Sequence, residues 1–531
     1  MLQKLPFLLF FFCCCSFGQQ EHAWIYFKDK PSAETALQNP RSILSERALQ
    51  RKQRLQIPVD FRDVPVEEAY ISALKAENTI TVMAKSKWLN CVHVIGEQDA
   101  IEELANLQFV QQVEFARDEL NERAAFALKQ PFSKFGTTEI FDYGYSSDQV
   151  EMLETDYLHE QDLTGQNLVI AVLDAGFPNV KQLAAFERMR DKGYLLGGYD
   201  FTHRSENFDK PELSNHGTLV LSTMAGYVPG YLIGTAPDAN YYLFCTEVAE
   251  SETPVEESYW VEAAERADSL GVDLINSSLS YSLFDDPGYN YRFEDMNGQT
   301  SFVSRGANIA TEKGILVVVS AGNSAESTVF PGIGAPADAH VLTVGAVDAN
   351  RDYVRFSSVG PTSDGRIKPD VMAQGFRCIA ANERNEIVQV SGTSFSSPIL
   401  AGSIASFWQA FPEMTNLEIM DLVKRASSNA QNPDNLIGYG IPNFRMALEN
   451  TEMNSYFSEE FYVFPNPVSE ELYFASPEQH YDVSIYDLTG KLLLYQQNVN
   501  KKIDLSGFSR GIYIAKFERQ NFRKSLLISK K

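Results

Sequence analysis

The chain has 531 residues, 44% of them hydrophobic and 22% charged. That is too long for one ordinary core and too apolar for a disordered chain, so about two to four folded domains are predicted. The formal net charge of −25 argues against a nucleic-acid partner, which needs clustered Lys and Arg, and is read as a contribution to solubility.

The N-terminus opens Met1-Leu2-Gln3-Lys4, runs apolar from Leu5 to Cys15 and continues Ser16-Phe17-Gly18-Gln19. One positive charge, a short apolar core and small residues read as a secretory signal peptide over 1–18. The run is too short to span a bilayer comfortably and no later segment is longer, so export without a membrane-spanning helix is expected. Cys13, Cys14 and Cys15 leave with the signal, and no lipid-anchor pattern precedes them. The remaining Cys91, Cys245 and Cys378 form neither a disulfide framework nor a metal spacing. A Cys245–Cys378 bridge stays open beside buried free thiols, which frequency of burial favours.

Residues 19–135 alternate short strands and amphipathic helices and predict a small α+β module. Strands are expected at 79–84, 90–95 and 109–114, with a helix over 97–107 that carries Ile101, Leu104 and Leu107 on one face. From 136 to 450 buried strands alternate with helices, the pattern of an α/β parallel sheet covered on both faces. Its strands are expected at 168–173, 239–244, 274–276, 315–319 and 341–344, its helices at 255–269, 300–313 and 399–411. A polar linker over 451–460 and a compact β-sandwich over 461–531 complete the chain.

Several residues at element ends carry chemistry. Asp174 closes the first buried strand and is followed by Ala175-Gly176, at the carboxyl edge where α/β sheets place their sites; alone it also reads as a turn aspartate. His216, in Asn215-His216-Gly217-Thr218, opens a helical run and suits either a cleft or a cap. Asn323, in Ser320-Ala321-Gly322-Asn323-Ser324, suits an oxyanion donor or a turn. Ser394, in Gly392-Thr393-Ser394-Phe395-Ser396-Ser397-Pro398, sits before a helical run whose N-terminus favours developing negative charge. A serine hydroxyl needs a base and an orienting acid to become a nucleophile.

Together these segments resemble the subtilisin-family serine endopeptidases. Asp174-Ala175-Gly176 is similar to the aspartate motif, with Ala where Ser or Thr is usual, His216-Gly217-Thr218 to the histidine motif, and the Ser394 segment to the serine motif. Ser320-Ala321-Gly322-Asn323 matches the oxyanion asparagine, and Asn276-Ser277-Ser278-Leu279-Ser280 resembles the substrate-binding strand. Phe356 to Pro361 and Lys368-Pro369-Asp370-Val371 add further matches. The resemblance implies a triad of Asp174, His216 and Ser394, the oxyanion donor Asn323, and substrate contacts from Ser278, Leu279, Ser280, Ala321 and Gly322. It implies polypeptide substrates, a monomer, and no cofactor for catalysis. No Asp or Glu follows Asp174 at the spacing of the family's calcium site, so structural calcium is left without support and no metal ligand is assigned. Ser280 stands where the family usually has Gly, which bears on the pocket for the residue before the cut.

The module ending at 109–114 resembles the family's inhibitory propeptide, and Tyr145 to Val150 resembles the start of a mature domain. Processing between about Ala125 and Ser147 is therefore expected, the other reading being a permanent N-terminal domain. Val463-Phe464-Pro465-Asn466-Pro467-Val468, Ile485 to Lys491 and Leu505 to Tyr513 resemble the type A sorting domain of type IX secretion in Bacteroidota; a binding sandwich is the alternative. The implied location is secreted or on the outer-membrane surface, reached through the periplasm, with the type IX machinery as partner. The rival function is a catalytically inactive subtilisin-like scaffold. A metallopeptidase is set aside because His159-Glu160 lacks a second His at the required spacing. An α/β-hydrolase is set aside because Ser394 is not in Gly-x-Ser-x-Gly.

Overall fold

The computed structural model describes residues 20–117, 120, 141–330, 332–459, 462–464, 468, 471–475, 480–488, 490–500, 502–519 and 522–530. The expected signal peptide, and most of the interval in which processing is expected, lie outside them. The chain divides into two compact units, Met1–Arg445 and Met446–Lys531.

The first unit begins with a four-stranded antiparallel sheet in the order Ile80–Ser86, Cys91–Glu97, Gln20–Phe27, Val110–Phe115. Gln20–Phe27 buries Ala23, Ile25 and Phe27 on one face, with Ile71, Leu74, Val92, Val94 and Ile101 from the surrounding elements. The helix expected over 97–107 is split into Gln98–Glu103 and a single 3₁₀ turn, Leu104–Asn106, with Ile101 and Leu104 buried as the spacing predicts.

Seven strands build the central sheet in the order Val371–Gln374, Leu342–Val347, Leu316–Ser320, Leu274–Ser277, Val169–Asp174, Asn240–Cys245, Leu195–Asp200. Every pairing is parallel. Five of these strands follow the buried runs seen in the sequence. Leu195–Asp200 escapes such a reading because Gly197 and Gly198 interrupt it, and the edge strand Val371–Gln374 was not expected. Helices His216–Ala225 and Thr393–Gln409 pack together, and the second also packs on four strands; Val255–Leu270 and Phe302–Glu312 form the other pair. The chain passes from one side of Val169–Asp174 to the other at this strand, so the strand ends around it form the crevice where open α/β sheets bind ligands.

The N-terminal module docks on the helix pair Val255–Leu270 and Phe302–Glu312. Trp24 stacks on Phe302 with centroids 4.5 Å apart and donates its indole N–H to Ser258 Oγ at 2.8 Å. Glu265 accepts from Ser86 Oγ at 2.6 Å and from the backbone N–H groups of Lys87 and Trp88 at 2.9 Å each. Arg51 pairs with Asp268, Lys52 with Asp63 at 2.9 Å, and Lys313 with both Asp60 and Asp63 at 2.9 Å. Burial alone would raise Asp268, but Lys52 and Arg51 outweigh it and hold the carboxyl at about 2.

The second unit places three strands, Tyr462–Phe464, Glu471–Ala475 and Lys502–Asp504, and four strands, Leu492–Asn500, His480–Tyr486, Gly511–Arg519 and Phe522–Lys530, in two antiparallel sheets. Leu472 and Ile503 of one share a core with Val483, Ile485, Ala515 and Phe517 of the other, which is the expected sandwich. A helix, Phe444–Glu459, occupies the stretch expected as a polar linker. Cys91, Cys245 and Cys378 are free and buried, and burial pushes each thiol up. Among the described residues, no helix is long and apolar enough to cross a membrane.

Removing one partner of a buried ion pair costs about 3–5 kcal/mol. Asp268→Asn is therefore expected to lower the urea midpoint of the full-length chain clearly at pH 7, where the ionised form contributes fully. Because the folded value is depressed, this contribution is present above the ordinary value of 3.8 and is lost as pH falls through about 2. An unchanged midpoint at pH 7 would contradict this account of the interface.

Candidate active site

Asp174 ends the central strand and is fully buried. Its Oδ1 accepts the Ala175 N–H at 2.8 Å and lies 2.7 Å from His216 Nδ1; Oδ2 has no hydrogen-bond partner among the described residues. His216 reaches this oxygen because it opens the helix His216–Ala225 directly above the strand end. Gly217 makes the approach possible: a Cβ there would sit 2.5 Å from the Gly176 carbonyl oxygen and 3.0 Å from Asp174 Cβ. The Asp174 carboxylate raises the imidazole above its ordinary value against the lowering effect of burial, and Glu247 acts in the same direction as Asp174.

Ser394 does not precede its helix, as the sequence suggested, but lies in the first turn of Thr393–Gln409. The sequence reading started the helix after Pro398. A proline in a helix removes the N–H that would bond the carbonyl four residues back, here that of Ser394. That carbonyl instead accepts from Ser278 Oγ at 2.9 Å. Asn276 Nδ2 donates to Ser278 Oγ at 3.2 Å, and Asn276 Oδ1 accepts from Ser397 Oγ at 2.9 Å. The strand end at Asn276–Ser278 thus fixes the turn that carries Ser394.

Asn323 is oriented just as firmly. The Thr393 N–H and hydroxyl both donate to Asn323 Oδ1, at 2.9 and 3.0 Å, and Thr393 Oγ1 accepts the Gly322 N–H at 3.2 Å. A backbone N–H can only donate, so the atom it meets must be the amide oxygen. The Asn323 Nδ2 donors are left for another acceptor. Thr393 was not singled out in the sequence, where it is one more small residue beside Ser394.

A cleft of about 600 Å³ is lined by His216, Asn323, Thr393, Ser394, Ser278, Leu279, Ser280 and Gly322. Ala321 departs from the expected substrate contacts. It is fully buried behind the cleft, its N–H donated to Val344 O at 2.9 Å, because it continues the strand Leu316–Ser320 inward. The same cleft is also lined by acidic residues that sequence reading missed, among them Glu247, Glu250, Glu252, Glu256 and Asp285. Burial raises Glu247 to about 7 and Glu256 to about 9. Glu256 accepts the N–H groups of Val248 and Thr253 at 2.8 Å each and so ties down the loop between them. Position after the strand Asn240–Cys245, at the switch point, is the one signal that pointed to this segment.

His159 holds Tyr143 OH at 2.7 Å on one ring nitrogen and Thr235 O at 3.1 Å on the other, a structural role. Among the described residues no group of three or more His, Cys, Asp or Glu is arranged to hold a metal ion. The arrangement as a whole offers a half-buried serine hydroxyl, an imidazole held by a carboxylate, and an amide donor around one cavity.

Residues 165–440 match the sequence model described as the Subtilase family, 22–131 that of the Peptidase S8 propeptide domain, Bacteroidota, and 462–529 that of the Secretion system C-terminal sorting domain. Similar proteins include Subtilisin DY of Bacillus licheniformis, 30% identical over 295 residues that cover 55% of this chain and 93% of that protein. Subtilisin NAT of Bacillus subtilis subsp. natto is 28% identical over 293 residues, 55% of this chain and 68% of that one. Among solved structures, the MycP3 protease from the type VII (ESX-3) secretion system covers 60% of this chain and 91% of its own at 20% identity, with a TM-score of 0.47.

The raised value of His216 depends on Asp174, so NMR titration of its imidazole should give a pKa above 6.5 in the native protein. In Asp174→Asn the charge is gone and burial remains, so the value should fall below that of the native protein. Equal values in the two proteins would break the link between them.

Proposed function

The chain belongs to the subtilase family of serine peptidases, and on that premise we propose that it is a secreted endopeptidase working through Asp174, His216 and Ser394. The observation that carries the reading is the His216 Nδ1 to Asp174 Oδ1 contact at 2.7 Å in a cleft shared with Ser394 and Asn323. With Nδ1–H donated to Asp174, the neutral imidazole has its Nε2 lone pair free to act as base.

Ser394 Oγ attacks the scissile carbonyl carbon while His216 Nε2 takes its proton. Charge develops on the carbonyl oxygen, where the Asn323 amide and the Ser394 N–H stabilise it. The intermediate collapses to an acyl-enzyme as His216 returns the proton to the departing amine. Water then attacks the ester, gives its proton to His216, and Ser394 is regenerated. Asp174 stays ionised throughout, holding the tautomer and stabilising the imidazolium. No cofactor enters these steps. Since His216 must be neutral to begin, its raised pKa places the acid limb of activity above 6.5.

The N-terminal module belongs to the family's propeptide domains and the C-terminal one to the secretion sorting domains. The protein is therefore exported to a secreted or cell-surface location. We read the first module as an intramolecular inhibitor that blocks the enzyme until it is cut, and the second as the address read by the type IX machinery.

Ser394→Ala is expected to abolish peptide hydrolysis and self-processing while preserving the fold by circular dichroism. Asn323→Ala should lose about 10²–10³-fold in kcat, the magnitude known for the corresponding donor of subtilisin itself. Undiminished hydrolysis by Ser394→Ala would remove Ser394 as the nucleophile, whereas failure of a fluorophosphonate probe to label Ser394 in the mature native protein would favour the inactive scaffold. Deleting 461–531 is expected to leave the protein in the periplasm; recovery of the truncated chain from the medium would refute the sorting role.

A further inference from the structure

Ser280 lies on the cleft wall, exposed, two residues after the Ser278 that holds the Ser394 carbonyl. Facing it is Gly322, at φ +98°, next to the oxyanion donor Asn323. Gly334 closes a third side, positioned where Tyr281 and Ala335 exchange backbone hydrogen bonds of 2.7 and 3.0 Å. The two glycines present only backbone to the space between these segments. The Ser280 hydroxyl enters it: Oγ lies 3.6 Å from where a Cβ on Gly322 would stand, and a Cβ on Gly334 would collide with it.

The oxyanion belongs to the residue on the acyl side of the scissile bond, and that residue's side chain branches from the adjacent carbon. A gap flanked by Gly322–Asn323 and Ser278–Ser280 is therefore where that side chain goes. A flat aromatic ring needs about 3.5–4 Å of clearance on each face, roughly 7 Å between walls. With the length of a Cα–Cβ bond added, Oγ stands within about 5 Å of the Gly322 Cα and about 4 Å of the Gly334 Cα, less than a ring needs.

We propose that Ser280 sets the size limit of this subsite, so that the enzyme cleaves after small side chains such as Gly, Ala and Ser and rejects aromatic and long aliphatic ones. The inference rests on the endopeptidase reading and names the substrate class for it. Ser280→Gly would reopen the space between the two glycines, and Ser280→Val would narrow it further.

The test uses mature enzyme and internally quenched peptides identical except for Ala, Leu or Phe before the cleaved bond, with the bond located by mass spectrometry. The native enzyme is expected to favour Ala over Phe by at least about tenfold in kcat/KM, and Ser280→Gly to raise the Phe to Ala ratio by at least about tenfold. Ser280→Val should lower the Leu to Ala ratio. A native enzyme that prefers Phe or Leu, or a Phe to Ala ratio unchanged in Ser280→Gly, would overturn the assignment while leaving the endopeptidase reading intact. No cleavage of any peptide or protein by the native mature enzyme would overturn both.

Discussion

The site depends on one hydrogen bond, from His216 to Asp174, and that bond depends on how closely a helix start can approach a strand end. Asp174 cannot move, because its strand is paired on both sides and its neighbours are buried. His216 can come within 2.7 Å only because residue 217 has no side chain. Backbone packing therefore fixes the tautomer of the imidazole, and the tautomer fixes which nitrogen is free. The carboxylate is sheltered from water, which strengthens its hold on the imidazole well beyond what two exposed groups would show.

The other side of the site is built on a deliberate defect in a helix. Pro398 interrupts the ladder of Thr393–Gln409 and leaves the Ser394 carbonyl to a side chain from a different strand. A buried carbonyl without a partner would cost about 1–3 kcal/mol, so Ser278 compensates the defect and at the same time ties Ser394 to the strand end at Asn276–Ser278. Thr393 does the corresponding work for Asn323. Ser394, Asn323 and the strand end at Asn276–Ser278 are thus linked by a short chain of hydrogen bonds. Movement of one strand end would disturb all three.

Much of this was legible from the sequence. The parallel sheet followed from its buried runs, and Asp174, His216, Asn323 and Ser394 stood out because each falls at an element end in a recognisable local pattern. Their hydrogen-bond partnerships did not, although Ser278 was singled out as a substrate contact. Thr393 and Ser278 are small polar residues of the kind found throughout loops, and their roles come from contacts across many residues of chain. The acidic wall at Glu247 and Glu256 was hidden in the overall charge, and Ala321 was misplaced because motif matching cannot tell a lining residue from its buried neighbour. The stretch 451–460 was read as linker because its polar composition resembles one, whereas most of it continues the helix Phe444–Glu459.

The charge of the chain is also distributed in a way composition cannot reveal. Cations of the N-terminal module, Arg47, Arg51, Lys52 and Arg62, meet Asp273, Asp268 and Glu312 of the sheet domain, while Lys313 answers Asp60 and Asp63 in the opposite sense. Two-way complementarity of this kind gives orientation more than net affinity, since buried pairs gain little over hydrated ions. An apolar interface of the same extent offers no such exchange; here each charge that separates would recover its hydration, so the docking is specific without being correspondingly tight.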